Sequence, residues 1–366
     1  MILRPVIKRI AVRNLLSAAL LCICALSSPA QDFRAYSKAA VDSLQQWYTP
    51  QTGLYNTTGW WNSANAITAL ANYSRIAHTK KYRSIFKNTL HAAQTGPKGA
   101  PGFINSYYDD EGWWALAWID AYDLTHDRRY LQTAASIFTN MQSGWDTTAC
   151  GGGVWWKKPN HGKNAIENEL FLDVAASLAN RARTPEQRAD YLAWAQKEWA
   201  WFRASGMINS DHLINDGLNY RDPGHCTNNG GNTWSYNQGV ILGALTELNK
   251  AAPDPTLPAT AEAIALAAID HLTDANGILH ETSPAHTGGD VPQFKGIFSR
   301  NLMLLNEAFP NPRYQSFARA NAQNLWTNDR DAANHFGFYW AGPFDLADAS
   351  RQSSALDALN AAAALH

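Results

Sequence analysis

Apolar residues recur at α-helical spacing in twelve segments of the chain, whereas the strict alternation of apolar and polar residues that is typical of strands is almost absent. This pattern predicts an all-α protein. No linker rich in proline and serine divides the segments, so one domain is favoured over two. The predicted helices cover residues 32–48, 60–77, 81–95, 109–126, 127–143, 163–181, 185–205, 232–250, 257–274, 290–309, 312–328 and 349–365.

The even-numbered helices of this series differ from the odd-numbered ones. Each even-numbered helix follows a loop rich in glycine, asparagine, tryptophan and tyrosine, and it is apolar over much of its circumference. The odd-numbered helices, such as 185–205, carry a charged face suited to an outer layer. Six helical hairpins therefore repeat along the chain, as an open solenoid or as a closed ring. Because the apolar helices lack dedicated polar end caps, we expect a closed (α/α)6 barrel, or toroid, with the six loops on one face.

The loops ahead of the apolar helices carry aromatic and amide side chains, which a barrel would bring together. Aromatic rings stack on the faces of sugars and amides bind their hydroxyls, so the combination favours a carbohydrate-binding cleft. A single aromatic residue is more often part of a core, and the collection therefore carries more weight than any member. The aromatic candidates are Trp60, Trp61, Tyr108, Trp113, Trp155, Trp156, Trp234 and Tyr236, and the amide candidates are Asn62, Asn65, Asn164, Asn168, Asn237 and Gln238.

Residues 1–30 have the pattern of a secretory signal peptide. Basic residues precede a short apolar run at 15–26, and small residues follow it, so cleavage is expected after Ala30. A signal anchor is the alternative, although the run is short for a membrane span. We therefore expect a secreted protein, extracellular or periplasmic, whose single domain comprises residues 31–366.

The charge of the expected mature chain argues against a nucleic-acid partner. Loss of residues 1–30 removes four of the 30 basic residues and none of the 31 acidic ones, which leaves 26 basic and 31 acidic residues and a formal charge of −5. No cluster of lysine and arginine is present to neutralise phosphates. No later stretch is long and apolar enough for a membrane helix, so a membrane is not expected as a partner either.

Two cysteines, Cys150 and Cys226, remain in the expected mature chain. Two cysteines in an exported protein are more often paired than free, and a buried free thiol is the alternative. Neither cysteine has the CxxC partner or the histidine cluster of a zinc site. The chain also lacks HExxH, GxSxG and phosphate-binding glycine motifs. We therefore expect no metal and no cofactor.

Asp109 and Asp110 lie side by side in the segment YYDDEGWW, at the start of a predicted apolar helix. One interpretation is structural, because free amide groups and the helix dipole stabilise carboxylates at a helix N-terminus. The other is catalytic, because glycoside hydrolysis uses one ionised and one protonated carboxyl group. Ionisation of one aspartate would raise the pKa of its neighbour, as would apolar surroundings. The residues alone leave both interpretations open.

The segment YYDDEGWWALAWIDAYDLT is similar to the signature of glycoside hydrolase family 76, the endo-α-1,6-mannanases and related fungal cell-wall proteins. The similarity continues through WWNSANAITALANY, CGGGVWWKKPNHGKNAIENELFLDVAASLA, DGLN, WSYNQGVILGAL, FKGIFSRNL and FGFYWAGP, and it covers essentially the whole expected mature chain. It implies an (α/α)6 barrel and a retaining mechanism. It also implies that Asp109 is the nucleophile, that Asp110 is the general acid/base and that Asp216 is a further acidic residue of the cleft. The matching Cys150 and Cys226 would lie in adjacent loops, where a disulfide would brace the cleft wall.

These observations predict a secreted, retaining endo-α-1,6-mannanase that acts as a monomer on α-mannan polysaccharide or oligosaccharides. A transglycosylase with the same scaffold and a non-catalytic glycan-binding barrel are the alternatives. The alanine-rich C-terminus lacks the apolar run of a GPI signal, which argues against the membrane-anchored fungal branch. The predicted substrate-binding residues are Trp60, Trp61, Asn62, Asn65, Tyr108, Trp113, Asn168, Asp216, Tyr236, Gln238, Lys295 and Arg300, the last two from the segment FKGIFSRNL.

Overall fold

Twelve α-helices make up most of the structure, a computed structural model that describes residues 32–281 and 289–365. The predicted signal peptide at 1–30 lies outside the described residues. All twelve predicted helices are confirmed, with ends that differ by a few residues. They are α1 (Phe33–Leu44), α2 (Trp60–Ile76), α3 (Arg83–Ala92), α4 (Tyr108–Thr125), α5 (Arg128–Gln142), α6 (Ala165–Arg181), α7 (Pro185–Ala204), α8 (Ser235–Ala251), α9 (Thr256–His271), α10 (Phe294–Ala308), α11 (Pro312–Asn328) and α12 (Ala349–Ala363).

Short strands and 3-10 turns occur in three of the loops that precede even-numbered helices. A small antiparallel hairpin lies ahead of α2 and another lies ahead of α8, and a 3-10 turn leads directly into α10. The strands are β1 (Tyr48–Thr49) paired with β2 (Leu54–Tyr55), in which Tyr48 is opposite Tyr55, and β3 (Leu218–Asn219) paired with β4 (Thr227–Asn228), in which Leu218 is opposite Asn228; the 3-10 turns are Gln45–Trp47 and Val291–Gln293.

The even-numbered helices form a closed inner ring. Each of them packs against the next even-numbered helix, and α12 packs against α2 and so closes the circle. Odd-numbered helices such as α5, α7 and α9 pack outside, against the even-numbered helix that precedes them. The predicted (α/α)6 barrel of helical hairpins is therefore confirmed, and the open solenoid is excluded.

Composition explains why the helices fall into two layers. The inner helix α12 is buried at every position from Ala349 to Ala363, and its alanine and serine side chains let α1, α2, α10 and α11 approach it closely. The outer helix α5 buries only one face, formed by side chains three or four positions apart from Tyr130 to Met141. A helix that is apolar or small on all sides thus lines the ring, and an amphipathic helix covers it.

A repeated side-chain contact holds the loops at the N-terminal ends of the inner helices. In five of the six inner helices of the described chain, the fourth residue is polar and accepts a hydrogen bond from a backbone N–H group of the preceding loop. These contacts satisfy backbone groups that the loops bury, and they draw the loops over one end of the barrel. The donor and acceptor atoms are Tyr55 N and Ser63 Oγ (3.1 Å), Asn105 N and Glu111 Oε1 (3.2 Å), Val154 N and Asn168 Oδ1 (2.7 Å), Ile214 N and Gln238 Oε1 (2.8 Å), and Phe336 N and Gln352 Oε1 (3.1 Å).

Cys150 and Cys226 form a disulfide between the α5–α6 loop and the α7–α8 loop. Their Cα atoms lie 5.2 Å apart, although 76 positions separate them in the sequence. The backbone N–H of Cys150 also donates to Pro223 O (2.9 Å), so the bridge and the hydrogen bond hold the same two loops together. Both loops lie at the loop-covered end of the barrel.

Candidate active site

Asp109 and Asp110 are the second and third residues of α4, at the end of the barrel where the loops gather. The N-cap residue Tyr107 has extended backbone angles (φ −126°, ψ 124°), so the chain enters the helix directly before the pair. Free amide groups at this position favour negative charge. Both side chains are half-buried, because the loops shield the helix start from bulk water. The pair is thus both a helix start and part of a recessed surface.

Asp109 accepts a hydrogen bond from an indole. Trp156 Nε1 donates to Asp109 Oδ2 at 3.0 Å, and Trp156 is itself held beside α4 because the N–H of Tyr108 donates to its carbonyl oxygen (3.0 Å). The other carboxyl oxygen of Asp109 has no hydrogen-bond partner in the described chain. Burial raises the pKa of Asp109 to about 7, and the indole donor opposes that rise. Its ionised form therefore has one fixed donor.

Asp110 has its own hydrogen-bond donor and a raised pKa. Asn105 Nδ2 donates to Asp110 Oδ2 at 2.6 Å, and the amide of Asn105 is oriented because the N–H of Tyr107 donates to its Oδ1 (2.8 Å). Burial and the adjacent carboxylate of Asp109 raise the pKa of Asp110 well above its usual range, more than the Asn105 amide lowers it. The pair therefore favours binding one proton between the two carboxyl groups.

A lysine fixes the segment that carries Asn105. Lys158 Nζ donates to the carbonyl oxygen of Asn105 (2.9 Å), to Asn140 Oδ1 (2.7 Å) and to Glu111 Oε1. Glu111 is fully buried, and burial raises its pKa to about 7. The ion pair with Lys158 opposes this rise in part. This brace (Lys158, Glu111 and Asn140) holds the donor that contacts Asp110.

Further carboxyl groups lie beneath the pair, on α6 and in the α7–α8 loop. Glu167 accepts from Asn164 N (2.5 Å) as the capping box of α6, and burial raises its pKa well above the usual range. Glu169 is fully buried without a hydrogen-bond partner for either oxygen, and burial raises its pKa strongly as well. Burial also raises the pKa of the half-buried Asp216. The charge of Asp109 adds to the raised pKa of Glu167, and that of Asp216 adds to the raised pKa of Glu169, so this region disfavours further negative charge.

Asp290 is an acidic residue of this site that the sequence analysis did not single out. It lies in the loop ahead of α10, is exposed, and its Oδ1 accepts from Trp61 Nε1 at 2.8 Å. Its charge raises the pKa of both Asp109 and Asp110, after the larger effect of burial. The sequence feature that could have identified Asp290 is its position in HTGGDVPQFKG, one of the segments that precede an inner helix.

Three of the predicted aromatic residues form one continuous stack. Trp61 stacks on Trp113 (ring centroids 5.6 Å apart), and Trp113 stacks on Tyr236 (6.4 Å). Tyr236 in turn stacks on Phe294 (3.8 Å, interplanar angle 6°), which the sequence analysis did not name. The stack crosses α2, α4, α8 and α10, so it forms an aromatic wall beside the catalytic candidates. We call these four residues the aromatic wall.

The structure places two other predicted aromatic residues in the core. Trp60 is 7% exposed, donates from Nε1 to Ala93 O (3.0 Å) and packs against Trp114. Tyr108 is 6% exposed, and its hydroxyl lies 3.2 Å from Ser143 Oγ. Their contacts are those of packing residues behind the pair, and the structure does not bring them into the aromatic wall.

The predicted amide residues are occupied mainly by the protein itself. Asn168 and Gln238 are fully buried and each binds the backbone of its preceding loop, as described above. Asn62 is 1% exposed; its Oδ1 accepts from Gly59 N (3.1 Å), and its Nδ2 donates to Gln293 Oε1 (2.8 Å). These side chains position the loops of the site, which is a role that the composition of the loops does not distinguish from sugar binding.

Lys295 and Arg300 also have protein partners. Lys295 is 2% exposed and donates to the carbonyl oxygen of Phe338, and burial lowers its pKa to about 8. Arg300 donates to Asp357 Oδ2 (2.9 Å) and Asn65 Oδ1 (2.5 Å), and its guanidinium lies 5.8 Å from the ring centroid of Trp113. Arg300 and Asn65 thus lie within the ring, on the inner side of the aromatic wall. Lys295 lies in a separate buried ionic cluster.

Within residues 32–281 and 289–365, no group of three or more His, Cys, Asp or Glu side chains is placed to hold a metal ion. The site described above is therefore a set of carboxyl groups, their hydrogen-bond donors and an aromatic wall. A set of this kind can exchange protons, attack an electrophilic carbon and stack on a sugar ring.

Residues 32–366 match glycosyl hydrolase family 76, and the chain belongs to this family. The chain is similar to the mannan endo-1,6-alpha-mannosidase DFG5 of Candida albicans (26% identity over 275 residues, 69% of this chain and 60% of that protein). It is also similar to the mannan endo-1,6-alpha-mannosidase DCW1 of Saccharomyces cerevisiae (25% over 329 residues, 82% and 71%). For the Candida albicans DFG5 protein and two further curated relatives, the matched region covers only 43% to 60% of the relative's length.

Solved structures of the family share the fold. An alpha-1,6-mannanase of Salegentibacter sp. HEL1_6, in complex with alpha-1,6-mannotetrose, superposes with a TM-score of 0.82 at 23% identity over 92% of this chain and 100% of that one. Dfg5 of Chaetomium thermophilum, in complex with glucosamine, superposes with a TM-score of 0.78 at 19% identity over 91% and 90% of the two chains. At these identities the likeness establishes the barrel and nothing finer.

Proposed function

We propose that this protein is a secreted, retaining endo-α-1,6-mannanase. The observation that carries the proposal is the pair of Asp109 and Asp110, whose carboxyl groups have different hydrogen-bond donors and raised pKa values. Glycoside hydrolysis needs one carboxylate and one carboxylic acid at the scissile bond. We assign Asp109, which accepts from the indole of Trp156, as the nucleophile, and Asp110, whose pKa is raised by burial and by the adjacent carboxylate, as the acid.

In the first step, ionised Asp109 attacks the anomeric carbon of a mannose unit while Asp110 gives its proton to the departing glycosidic oxygen. The glycosidic bond breaks, the shortened mannan leaves as an alcohol, and the sugar is esterified to Asp109. In the second step, Asp110 takes a proton from water, whose oxygen attacks the same carbon and releases Asp109. Two displacements at one carbon retain its configuration.

Asn105 supports the acid role of Asp110 through geometry. Its Nδ2 group donates to Asp110 Oδ2, so the proton of the neutral carboxyl group belongs on the other oxygen, Oδ1. The brace of Lys158, Glu111 and Asn140 restrains Asn105 and therefore keeps the donor oriented in both steps of the reaction. Asn105 is a positioning residue, since it acts through Asp110.

The names of the relatives support mannan as the substrate. Both yeast relatives described above carry the name mannan endo-1,6-alpha-mannosidase. The Salegentibacter mannanase was crystallised with a mannotetrose as an inactive variant in which two consecutive aspartates are replaced. The present chain has consecutive aspartates at only one place, Asp109 and Asp110. The chemistry of this pair and the name of that variant therefore point to the same residues.

The surroundings of the pair suit a sugar polymer. Trp61 and Tyr236, the half-buried members of the aromatic wall, supply rings that can stack on sugar faces, whereas Trp113 and Phe294 are buried behind them. The exposed carboxylate of Asp290 and the half-buried carboxyl group of Asp216 can accept hydrogen bonds from hydroxyl groups. Export is supported by the signal-like sequence at 1–30 and by the disulfide, which is typical of oxidising compartments. No helix of the described chain is long and apolar enough to cross a membrane.

The products that the protein forms from linear α-1,6-mannan test this proposal. We expect a ladder of short oligosaccharides early in the reaction, and we expect proton NMR to detect the newly formed reducing ends first as the α anomer, which then mutarotates. Chains longer than the substrate would establish a transglycosylase, and immediate formation of the β anomer would establish inversion. An unchanged substrate that still binds would establish a non-catalytic glycan-binding barrel.

A further inference from the structure

A second recess lies at the other end of the barrel from Asp109 and Asp110. It is a cavity of about 350 Å³ at the C-terminal halves of the six inner helices, and all six contribute to its lining. The stretches 68–76 of α2, 116–124 of α4 and 173–181 of α6 form one side of it. The proposed catalytic pair, by contrast, belongs to the first turn of α4. The two recesses are therefore separate along the barrel axis.

The cavity is lined by more acidic than basic side chains. Arg181 binds Asp123 and Glu247, and Arg300 binds Asp357, so these cations are already paired. Asp120 has no hydrogen bond or ion pair with any residue of the described chain, and it lines the same cavity. Asp173, which is 5% exposed, has only the hydroxyl of Ser177 as a donor (3.2 Å).

Buried oxygen atoms without partners also line this cavity. Asp357 is 1% exposed and Asn360 is 3% exposed, and neither Asp357 Oδ1 nor Asn360 Oδ1 has a hydrogen-bond partner within the described residues. Both atoms are acceptors, as are the oxygens of Asp120 and of ionised Asp173. Buried acceptors without donors are uncommon in folded proteins and call for an occupant that supplies N–H or O–H groups.

The direction of the inner helices adds to the negative potential. Their C-terminal ends surround the cavity, and each such end carries a partial negative charge from its free carbonyl groups. Burial in these surroundings raises the pKa of Asp120 to about 6, of Asp357 to about 7 and of Asp173 to about 8. A bound cation would reverse this effect, because it stabilises the ionised carboxyl groups.

We propose that this cavity binds a small organic ammonium ion through Asp120, Asp173, the free oxygen of Asp357 and Asn360. An ammonium group supplies the N–H donors and the positive charge that these acceptors lack. A bare metal ion suits the cavity less, because no three His, Cys, Asp or Glu side chains of the described chain converge to hold one. The volume of the cavity is in the usual range for small-molecule sites, roughly 300–1,000 Å³.

Isothermal titration calorimetry of the full chain with 1,4-diaminobutane tests the proposal. The matched neutral compound is 1,4-butanediol, which has the same carbon chain without the charge, and the ionic strength is held constant with sodium chloride. We expect one diamine to bind per chain and the diol to bind at least tenfold more weakly. Absence of diamine binding, or equal binding of the diol, would overturn the proposal.

Three variants locate the site. Asp120→Asn and Asp173→Asn should each weaken diamine binding at least tenfold, whereas Asp190→Asn, a matched change of an exposed residue on α7, should leave it unchanged. Asp109→Asn should also leave it unchanged, because that residue lies at the other end of the barrel. If Asp173→Asn fails to fold by circular dichroism, Asp120→Asn, whose side chain is partly exposed, decides the question. Unaltered binding in Asp120→Asn, or loss of binding in Asp109→Asn, would refute the assignment.

Discussion

Asp109 and Asp110 at the loop-covered end of the barrel and Glu247 at the other end have opposite electrostatic surroundings. At the loop-covered end, Asp109 and Asp110 receive hydrogen bonds from an indole and an amide, both of them neutral. At the other end, Arg181 binds Glu247, and this cation together with Lys250 brings the pKa of Glu247 below its usual value although burial opposes the change. Burial still raises the pKa of Asp120, Asp173 and Asp357 at that end, so the contrast with the proposed catalytic pair is carried by Glu247.

This difference separates groups suited to chemistry from groups suited to stability. A carboxyl group with neutral donors keeps an elevated pKa and can exchange a proton near neutral pH. Glu247, with Arg181 and Lys250 as its partners, stays ionised, and removal of Arg181 leaves an uncompensated buried charge. We therefore expect substitutions of Asp109, Asp110 and Asn105 to change activity more than stability, and substitutions of the paired cations to change stability more than activity.

The largest effect is expected from Asp109→Asn. The amide cannot form the glycosyl-enzyme, so the rate on α-1,6-mannan should fall by roughly 10³-fold or more. The thermal midpoint should stay within a few degrees of the wild type, because only part of a helix-start interaction is lost, about 0.5–2 kcal/mol. Reducing-sugar release and circular dichroism measure the two quantities. An inactive variant that is also unfolded would favour the purely structural interpretation of the pair.

Asp110→Ala should have a smaller effect that depends on the leaving group. On mannan the loss of the acid should reduce the rate by about 10²–10⁴-fold. On an activated mannosyl fluoride the first step needs no proton donor, so the glycosyl-enzyme should accumulate and azide should restore turnover by forming a glycosyl azide. Mass spectrometry of the intact protein detects the intermediate. Near wild-type hydrolysis of mannan by this variant would contradict the proposed roles.

Arg181→Met tests the paired end of the barrel. It should lower the free energy of unfolding by about 3 kcal/mol, since the side chains of Arg181 and Glu247 are only 14% and 8% exposed. The matched change Arg75→Met breaks the exposed pair with Glu307 and should cost less than about 1 kcal/mol. Denaturant unfolding gives both values. The activity of the folded fraction should be unchanged. A loss of activity without a loss of stability would contradict the assignment of Arg181 to stability.

Cys150→Ser removes the disulfide between two loops of the loop-covered end. We expect the free energy of unfolding to fall by about 2–4 kcal/mol, chiefly because the unfolded chain is less constrained. The wild type under reducing conditions should match the variant, whereas the variant itself should not respond to reductant. Chemical denaturation with and without dithiothreitol makes the comparison. Equal stability of wild type and variant under oxidising conditions would mean that the bridge does not form.

The smallest effect is expected from Asn105→Ser. Loss of the amide donor should lower kcat/KM on mannan about tenfold, the equivalent of one charge-assisted hydrogen bond. The amide lowers the pKa of Asp110, so its removal should move the alkaline limb of the pH–rate profile to higher pH. Asn88→Ser, which removes an amide that donates to Tyr48 Oη and Pro50 O on the outer helix α3, is the control and should not move that limb. A lower rate without a shift of the pH–rate profile would mean that Asn105 has only a structural role.

Local patterns in the sequence determined much of the fold. Helical periodicity located all twelve helices, because a helix that buries one face must repeat its apolar residues every three or four positions. The contrast between all-round apolar helices and amphipathic ones separated the inner from the outer layer. The adjacent Asp109 and Asp110 stood out because their position depends only on the start of one helix. The structure also joins the two cysteines of the expected mature chain.

Tertiary structure alone decided how each polar side chain is used. Asn168 and Gln238 look like sugar-binding amides in the sequence, yet their contacts with Val154 and Ile214 take up their polar groups. The partner of Asp109 is 47 positions away, and the contact of Trp61 with Asp290 spans 229 positions. Hydrogen bonds and pKa values depend on which groups lie within a few ångströms, and only closure of the ring brings such distant segments together.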